Sequence, residues 1–409
     1  MKNYKGSKRK KRNIKLGRRV AVSKLEYAEE YSAGNKLGVY VHVPFCASKC
    51  GYCDFYSVAY DKQRAAEYTN AVIEHMRESA ARFKKYTVDT VYFGGGTPTV
   101  LPPELLAGLL KQIKNRFRLS RNAEITVEAN PATINLRGLK KLRRAGFNRV
   151  SIGMQSANEE TLTAIGREGE AKDAALLMRN ARRAGFKNIS ADLMYGLPGE
   201  HARDFLHSLE FLLTFKPEHI SLYGLKLAEG TPLFERRHTH SFPGEDAEWA
   251  MYERASEILT DAGYEHYEIS NFALPDYRSK HNLRYWALED YLSFGPSAHS
   301  FTDGRRYSYV ADVDAYIQGI MNRDSVIDEI EDKPAFLAER HSEYIMLMLR
   351  TSDGVDPDLF YKIFSKSFDP YAEKLEKYIK SGHAEMAGGC YRLTLKGWFI
   401  SNTILAELI

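Results

Sequence analysis

The chain has 409 residues, 44% hydrophobic and 27% charged, ordinary proportions for a globular protein long enough for two or three domains. No apolar run approaches the roughly 20 residues that span a bilayer, and the basic N-terminus lacks the apolar stretch of a secretory signal, so neither a membrane span nor a leader is expected. Four cysteines, three of them crowded between positions 46 and 53, exclude a disulfide framework and point to a reducing, cytoplasmic setting with a metal or cluster site.

The formal net charge of +5 is unevenly spread. Residues 1–25 hold eleven Lys and Arg and no Asp or Glu, which leaves 47 basic against 53 acidic residues in the rest. Residues 1–35 therefore read as a basic, disordered tail. The run Lys8-Arg9-Lys10-Lys11-Arg12 has no interleaved aromatics and no RNA-binding motif, so nucleic acid is not an expected partner.

From Lys36 the chain alternates short β-rich runs with amphipathic helical stretches. Strands are predicted at 37–43, 90–93, 125–128, 149–154, 189–194 and 220–225, with helices at 63–83, 103–117, 136–145, 173–184 and 202–215. Strands separated by helices argue for βαβ units and a parallel sheet. Arg143-Arg144-Ala145-Gly146-Phe147 and, 39 residues later, Arg182-Arg183-Ala184-Gly185-Phe186 each read as a basic last helical turn, a glycine cap and an aromatic entering the next strand. Six such units suit a partial barrel better than a full eightfold one. After Pro232 the chain becomes rich in Tyr, His and Trp, with strand-like pieces at 264–269 and 291–294. Helices are predicted at 335–350, 357–363 and 370–381, then a short strand at 391–395 and a helix at 397–408. The expected architecture is α/β: a partial (βα)6 barrel with its extension over 36–300, then a C-terminal mixed, mainly helical domain of winged-helix type over 301–409.

The strongest chemical signal is His42-Val-Pro-Phe-Cys46-Ala-Ser-Lys-Cys50-Gly-Tyr-Cys53. Three thiolates on one loop can converge on one centre. A structural zinc site wants four protein ligands, whereas a cubane iron–sulfur cluster held by three cysteines keeps one iron open for an exogenous ligand. Zinc, with His42 or a distant residue as fourth ligand, is the alternative. Cys390 is remote and reads as a small buried hydrophobe. The loop follows the first strand and so falls at the C-terminal mouth of a barrel, where reactive groups gather. The same mouth receives Gly94-Gly95-Gly96-Thr97-Pro98, Glu128-Ala-Asn130-Pro131, Gln155-Ser156, and Asp192 with Tyr195-Gly-Leu-Pro198, at successive strand ends. A glycine run lets backbone approach a polar amino-acid moiety closely. Glu128, Gln155 and Asp192 suit ribose hydroxyls and an ammonium group, and Arg167 suits a carboxylate.

The three-cysteine loop followed by the Gly-Gly-Gly-Thr-Pro run resembles the radical S-adenosylmethionine (SAM) superfamily. Tyr40-Val-His-Val-Pro-Phe-Cys46, residues 94–99, Val150-Ser-Ile-Gly-Met-Gln155-Ser156 and Asp192-Leu-Met-Tyr-Gly-Leu-Pro198 are similar to the oxygen-independent coproporphyrinogen III oxidase family. The true oxidases of that family carry a further cysteine two positions after the third, where this chain has Phe55. Glu268-Ile-Ser-Asn271, His281-Asn282-Leu-Arg-Tyr285, and residues 294–300 and 393–402 resemble its heme-chaperone branch instead.

The resemblance implies a radical SAM barrel in which Cys46, Cys50 and Cys53 hold a 4Fe–4S cluster; no catalytic residue is assigned beyond these ligands. It implies SAM on the open iron, contacted by Tyr40, Tyr52, Gly95, Gly96, Thr97, Glu128, Gln155, Arg167 and Asp192. Heme is implied as a further ligand at the HNxxY element, on His281, Asn282 and Tyr285. The implied role is a carrier that hands heme to an acceptor protein, served by an electron donor such as flavodoxin or ferredoxin. The alternative is SAM-dependent decarboxylation of coproporphyrinogen III. Phe55 and the intact HNxxY element favour the carrier. Two positions depart from the branch: Glu168-Gly169 follow Arg167 where a histidine is usual, and Ala228 stands where an acidic residue is common.

Overall fold

The computed structural model describes residues 35–167, 169–331 and 340–409. The expected basic tail, Asn35 apart, and the first residues of the helix expected at 335–350 lie outside them.

The six predicted strands are all present: β1 Lys36–Val43, β2 Thr87–Gly95, β3 Arg118–Ala129, β4 Arg149–Gln155, β5 Asn188–Tyr195 and β6 His219–Gly224. They pair in chain order and in parallel. Between them run α1 Lys62–Ser79, α2 Pro103–Arg116, α3 Leu136–Ala145, α4 Glu159–Ala164, α5 Ala171–Ala184 and α6 Ala202–Leu213. The twin Arg-Arg-Ala-Gly-Phe segments end α3 and α5 as expected. Gly146 (φ 116°) and Gly185 (φ 93°) take the left-handed cap conformation, and Phe147 and Phe186 are buried at the next strand.

Later elements extend the sheet at both edges. They are α7 Glu245–Asp261, β7 Glu265–Glu268, β8 Asn271–Ala273, α8 Lys280–Trp286, β9 Tyr291–Phe294, β10 His299–Thr302, β11 Arg305–Tyr309, α9 Val313–Asn322 and β12 Ile327–Ile330. Strand β9 pairs parallel with β1, adding a seventh parallel strand to the expected six. The sheet runs β12-β11-β10-β9-β1-β2-β3-β4-β5-β6-β8-β7, and its edge strands do not pair, so it is open. Because β11 and β12 belong to this sheet, it continues past the boundary expected at residue 300.

Period-two patterning explains why these strands hold together. One face is apolar and fully buried, with Val39, Val41, Val91, Phe93, Val127, Val150, Ile152, Ala191, Leu193 and Leu222 packed in a single core with the helices. The other face is polar at every second position: Tyr40 and His42, Thr90 and Tyr92, Thr126 and Glu128, Arg149 and Ser151, Ser190 and Asp192, His219 and Ser221. Parallel register aligns these residues in rows, such as Tyr40–Tyr92–Thr126 and Ser151–Ser190–His219. The inner face is therefore polar although largely buried, with Thr90, Thr126, Arg149, Ser190 and His219 at 0–1% exposure, unlike an apolar barrel core.

The C-terminal unit contains helices His341–Met348, Pro357–Phe364, Asp369–Lys380, Leu395–Phe399 and Ser401–Leu408 and one hairpin, Ala384–Ala387 with Cys390–Leu393. It has its own core around Tyr344, Phe360, Leu375, Trp398 and Ile404, which also takes in Leu288 and Phe301 from the sheet extension. Cys390 is half-buried on the hairpin, not enclosed as expected.

Candidate functional site

The cysteine loop leaves the C-terminal end of β1 and is tied down by backbone bonds. Gly96 N–H donates to the Val43 carbonyl (2.8 Å) and Thr97 N–H to the Phe45 carbonyl (2.7 Å). This approach requires glycine. A Cβ on Gly96 would stand 2.7 Å from the Phe45 carbonyl oxygen, and one on Gly95, at φ 107°, would lie 2.6 Å from the His42 ring. The glycine run is therefore pressed against the loop that carries the thiols.

His42 is buried between β1 and this loop. Its Nε2 donates to the Tyr56 carbonyl (3.0 Å), so Nδ1 accepts from the Tyr40 hydroxyl (3.1 Å). Burial lowers its pKa to about 4. With both nitrogens engaged, His42 is not free to complete a zinc site.

Cys46, Cys50 and Cys53 are half-buried free thiols. Burial raises the Cys53 pKa, and the neighbouring Cys50 and Cys46 add to the shift. Among the described residues no three His, Cys, Asp or Glu side chains converge on a single metal ion. Thr97 Oγ1 donates to Cys46 Sγ and Arg167 Nη1 to Cys50 Sγ, each at 3.6 Å. Three thiols with donors aimed at two of them fit an iron–sulfur cluster.

The other residues expected at the mouth converge here. Glu128 accepts from the Tyr92 hydroxyl (2.7 Å), and burial, with Asp192 nearby, pushes its pKa up to about 7. Asp192 accepts from Ser151 Oγ (3.3 Å), and burial raises its pKa against the pull of Arg149 and Arg167. Tyr52 lies within electrostatic reach of Arg167, Cys50, Cys53 and Asp192, and burial raises its pKa. Gln155 has φ 68°, the left-handed region that ordinary side chains avoid, and its Oε1 is buried without a partner. A strained residue with an orphaned acceptor at the mouth fits a ligand that donates a hydrogen bond.

The HNxxY element lies elsewhere. Helix α8 crosses the opposite, N-terminal end of the strands, where the backbone N–H groups of His281 (3.2 Å) and Lys280 (3.3 Å) donate to Glu124. His281 is 1% exposed, and its ring nitrogens bond Thr90 Oγ1 (2.9 Å) and the Tyr285 hydroxyl (2.8 Å). Burial, with Arg284 and Arg149 nearby, lowers its pKa to about 3. Asn282 is half-buried. Iron at His281 Nε2 would have to displace the Tyr285 hydroxyl. The rings of Tyr92 (5.3 Å between centroids) and Tyr40 (6.4 Å) stack from His281 towards the mouth.

The sequence put Asn130 at the mouth without a role and missed Arg149. Asn130 joins Thr97 to Arg167. Arg149, 1% exposed, makes no hydrogen bond or ion pair among the described residues, although Glu124 and Asp192 lie near enough to raise its pKa despite burial. Its row-mates Thr126 and Asn188 likewise keep a buried polar atom without a partner, the pattern that ordered water satisfies. Strand-end position points to Asn130; alternation of polar residues along β4 is the signal for Arg149.

The open α/β sheet and the three-cysteine mouth define the class: this is a radical SAM protein. The sequence model of the Radical SAM superfamily matches residues 40–212, and that of the HemN C-terminal domain matches residues 337–400. Within that class the chain belongs to the family of the proteins named heme chaperone HemW. It is 34% identical to heme chaperone HemW of Bacillus subtilis (strain 168) over 375 residues, covering 90% of this chain and 98% of that one. It is 32% identical to the Escherichia coli (strain K12) protein of that name, covering 90% and 97%. The solved structure of coproporphyrinogen III oxidase (HemN) from Escherichia coli, a radical SAM enzyme, superposes with a TM-score of 0.79 over 95% of this chain and 93% of that chain. At 22% identity that likeness speaks for the fold.

Proposed function

We propose that this protein binds heme and transfers it to an acceptor protein, using a 4Fe–4S cluster on Cys46, Cys50 and Cys53 with SAM held at the same mouth. The observation that carries this reading is the exposed Phe55 beside the third cysteine, in a chain whose full-length relatives are named heme chaperones. When bound, cluster and SAM supply one-electron chemistry, and an electron donor of flavodoxin or ferredoxin type would feed it. The chain's own part is positional. Gly95, Gly96 and Thr97 offer backbone to the amino-acid end of SAM, Arg167 a cation, and Glu128, Gln155 and Asp192 acceptors. Tyr40 and Tyr52 close the sides. Four free thiols suit a reducing, cytoplasmic setting. His281, Asn282 and Tyr285 are the proposed heme residues, and ligation through His281 requires Tyr285 to swing off Nε2.

The test is one anaerobic experiment on the reconstituted full chain with reductant, SAM and either heme or coproporphyrinogen III. Expected are a heme-bound absorption band, heme transfer to an apo-acceptor and no decarboxylated porphyrin by mass spectrometry. Cys50→Ala should lose the cluster's broad visible absorbance, and His281→Ala should lose the heme band. Decarboxylated product would overturn the carrier reading in favour of an oxidase. An unaltered heme band in His281→Ala would remove the HNxxY assignment alone.

A further inference from the structure

Asn130 sits at the centre of a hydrogen-bonded brace between two thiols. Its Nδ2 donates to Thr97 Oγ1 at 2.9 Å, and the Thr97 hydroxyl donates in turn to Cys46 Sγ at 3.6 Å. Its Oδ1 accepts from Arg167 Nη2 at 3.2 Å, and Arg167 Nη1 donates to Cys50 Sγ at 3.6 Å. The second hydrogen of Arg167 Nη2 goes to the Gly153 carbonyl at 2.5 Å, so the guanidinium is held at three points.

The brace dictates the residue type. Thr97 spends its only proton on sulfur, so its partner must donate, while Arg167 has no lone pair, so its partner must accept. A short side-chain amide offers both, and the network fixes which way round it lies. The backbone is arranged around this group. Pro131 biases Asn130 towards extended geometry at the end of β3. The Asn130 carbonyl is pinned by Thr133 Oγ1 at 2.7 Å. A Cβ on Gly153 would come within 2.8 Å of Arg167 Nη2 and 3.1 Å of Asn130 Oδ1, so glycine there leaves the brace its room.

We propose that Asn130 is a positioning residue for the cluster: through Thr97 and Arg167 it aims one neutral and one charged hydrogen bond at the sulfurs of Cys46 and Cys50, and so sets the reduction potential. The proposal rests on the cluster assignment made above. Donors to ligand sulfur stabilise the more negative, reduced cluster, and a charged donor does so more strongly, so loss of the brace makes reduction harder.

The experiment uses the full chain, reconstituted anaerobically as wild type, Asn130→Asp, Asn130→Ala, Thr97→Val and Thr97→Val/Asn130→Ala. Aspartate is isosteric and keeps Arg167, but its second oxygen accepts the Thr97 proton and turns it away from Cys46. Iron and sulfide per chain report cluster assembly, and potentiometric titration followed by EPR reports the potential and the electronic environment. Expected for Asn130→Asp are wild-type iron content, a more negative midpoint potential and an altered EPR signal. Thr97→Val, which adds no charge, should shift in the same direction. Adding Asn130→Ala to Thr97→Val should shift the potential less than Asn130→Ala does alone, because the two share one path to Cys46. Unchanged potentials in both Asn130 variants at full cluster content overturn the proposal, as do fully additive shifts. If Asn130→Ala does not fold, the aspartate variant decides. A wild type that assembles no iron–sulfur cluster instead overturns the underlying assignment, and iron analysis separates the two failures.

Discussion

Glu268 and the buried histidines respond to pH in opposite directions, and the signs follow from where each proton prefers to be. Burial lowers His42 and His75 to about 4 and His266 and His281 to about 3. Their folded pKa values lie below the ordinary 6.5, so their contribution to stability is full above that pH and is lost on acidification. Glu268, 0% exposed, is pushed by burial up to about 8, so the folded chain holds its proton where the unfolded chain has released it. That contribution is full below the ordinary 4.5 and is lost as pH rises towards 8. Above 6.5 the histidines add little more, and the carboxyls raised by burial drain stability as pH rises: Glu268, Glu128 and Glu200, each of the last two pushed to about 7, with Asp192, Glu248 and Asp290 raised in the same direction. Below the ordinary carboxylate range Glu268→Gln should cost about 1 kcal/mol, because Ser270 N–H and Asn271 Nδ2 both donate to this carboxyl and the amide can accept only one, and the deficit should shrink as pH rises and the wild type loses the contribution of its proton. It should also flatten the decline between pH 6.5 and 8 by up to about 1.4 kcal/mol per pH unit. Urea unfolding at those two pH values measures it; equal losses in variant and wild type would mean that Glu268 carries no proton. At this scale the sequence was legible where motifs mark strand ends, as at Gly95, Gln155 and Asp192. Arg149 was not, because arginine is nearly always exposed and only its alternation with Ser151 and Gln155 along β4 marks it as inward.

Elements were readable in proportion to their punctuation. Helix α3 was predicted over its observed bounds because Asn135 caps one end, accepting from Gly138 N–H, and Gly146 the other. Helix α7 went unpredicted. Its sequence Glu-Asp-Ala-Glu-Trp-Ala-Met-Tyr-Glu-Arg opens with three acidic residues and hides a narrow buried stripe of Met251, Tyr252, Ala255 and Leu259. Strands β10 to β12 were missed because they are four or five residues long and mix Tyr, Ser, Arg and Glu with few apolar positions. Helix α8 has only seven residues and no side-chain cap, and tertiary contacts hold it. Arg284, 3% exposed, reaches from it to Asp89 and to Glu289 (2.8 Å), and its stem fills the space that a side chain on Gly38 would take, 2.6 Å from Cδ. Replacing Arg284 with Met keeps the stem and removes the charge. Removing one member of a buried pair is strongly unfavourable, so the change should cost about 3 kcal/mol. The carboxylates of Asp89 and Glu289 are 26% and 45% exposed and can rehydrate, which keeps the loss at the low end. Urea unfolding of the apo-protein reads it, and no loss would mean that α8 is held by packing alone.

The whole molecule must protect an open sheet, because unpaired edge strands invite further pairing. The C-terminal unit covers the β7 edge. Ile269 N–H donates to the Arg350 carbonyl and Ser352 N–H to the Tyr267 carbonyl, both at 2.9 Å, and Glu268 bridges to Thr351. Trp398 fastens this junction: its indole N–H donates to the Leu349 carbonyl (3.0 Å), and its ring lies 4.6 Å from that of His266 on β7. Next to it Phe399 packs on Trp249 and Tyr252 of α7. The sequence suggested a separate C-terminal domain because its helical rhythm changes, yet sheet edge and C-terminal core share residues that no local pattern connects. Trp398→Ala should therefore act beyond its own core. Deleting a buried tryptophan costs about 3–5 kcal/mol, and the edge bonds should loosen with it. Hydrogen exchange is expected to speed up at the Ile269 and Ser352 amides while the amides of β2 to β4, remote from the junction, keep wild-type protection. Global destabilisation with uniform loss of protection would show that the molecule unfolds as one unit, whereas unchanged exchange at Ile269 and Ser352 would show that the edge is held without Trp398.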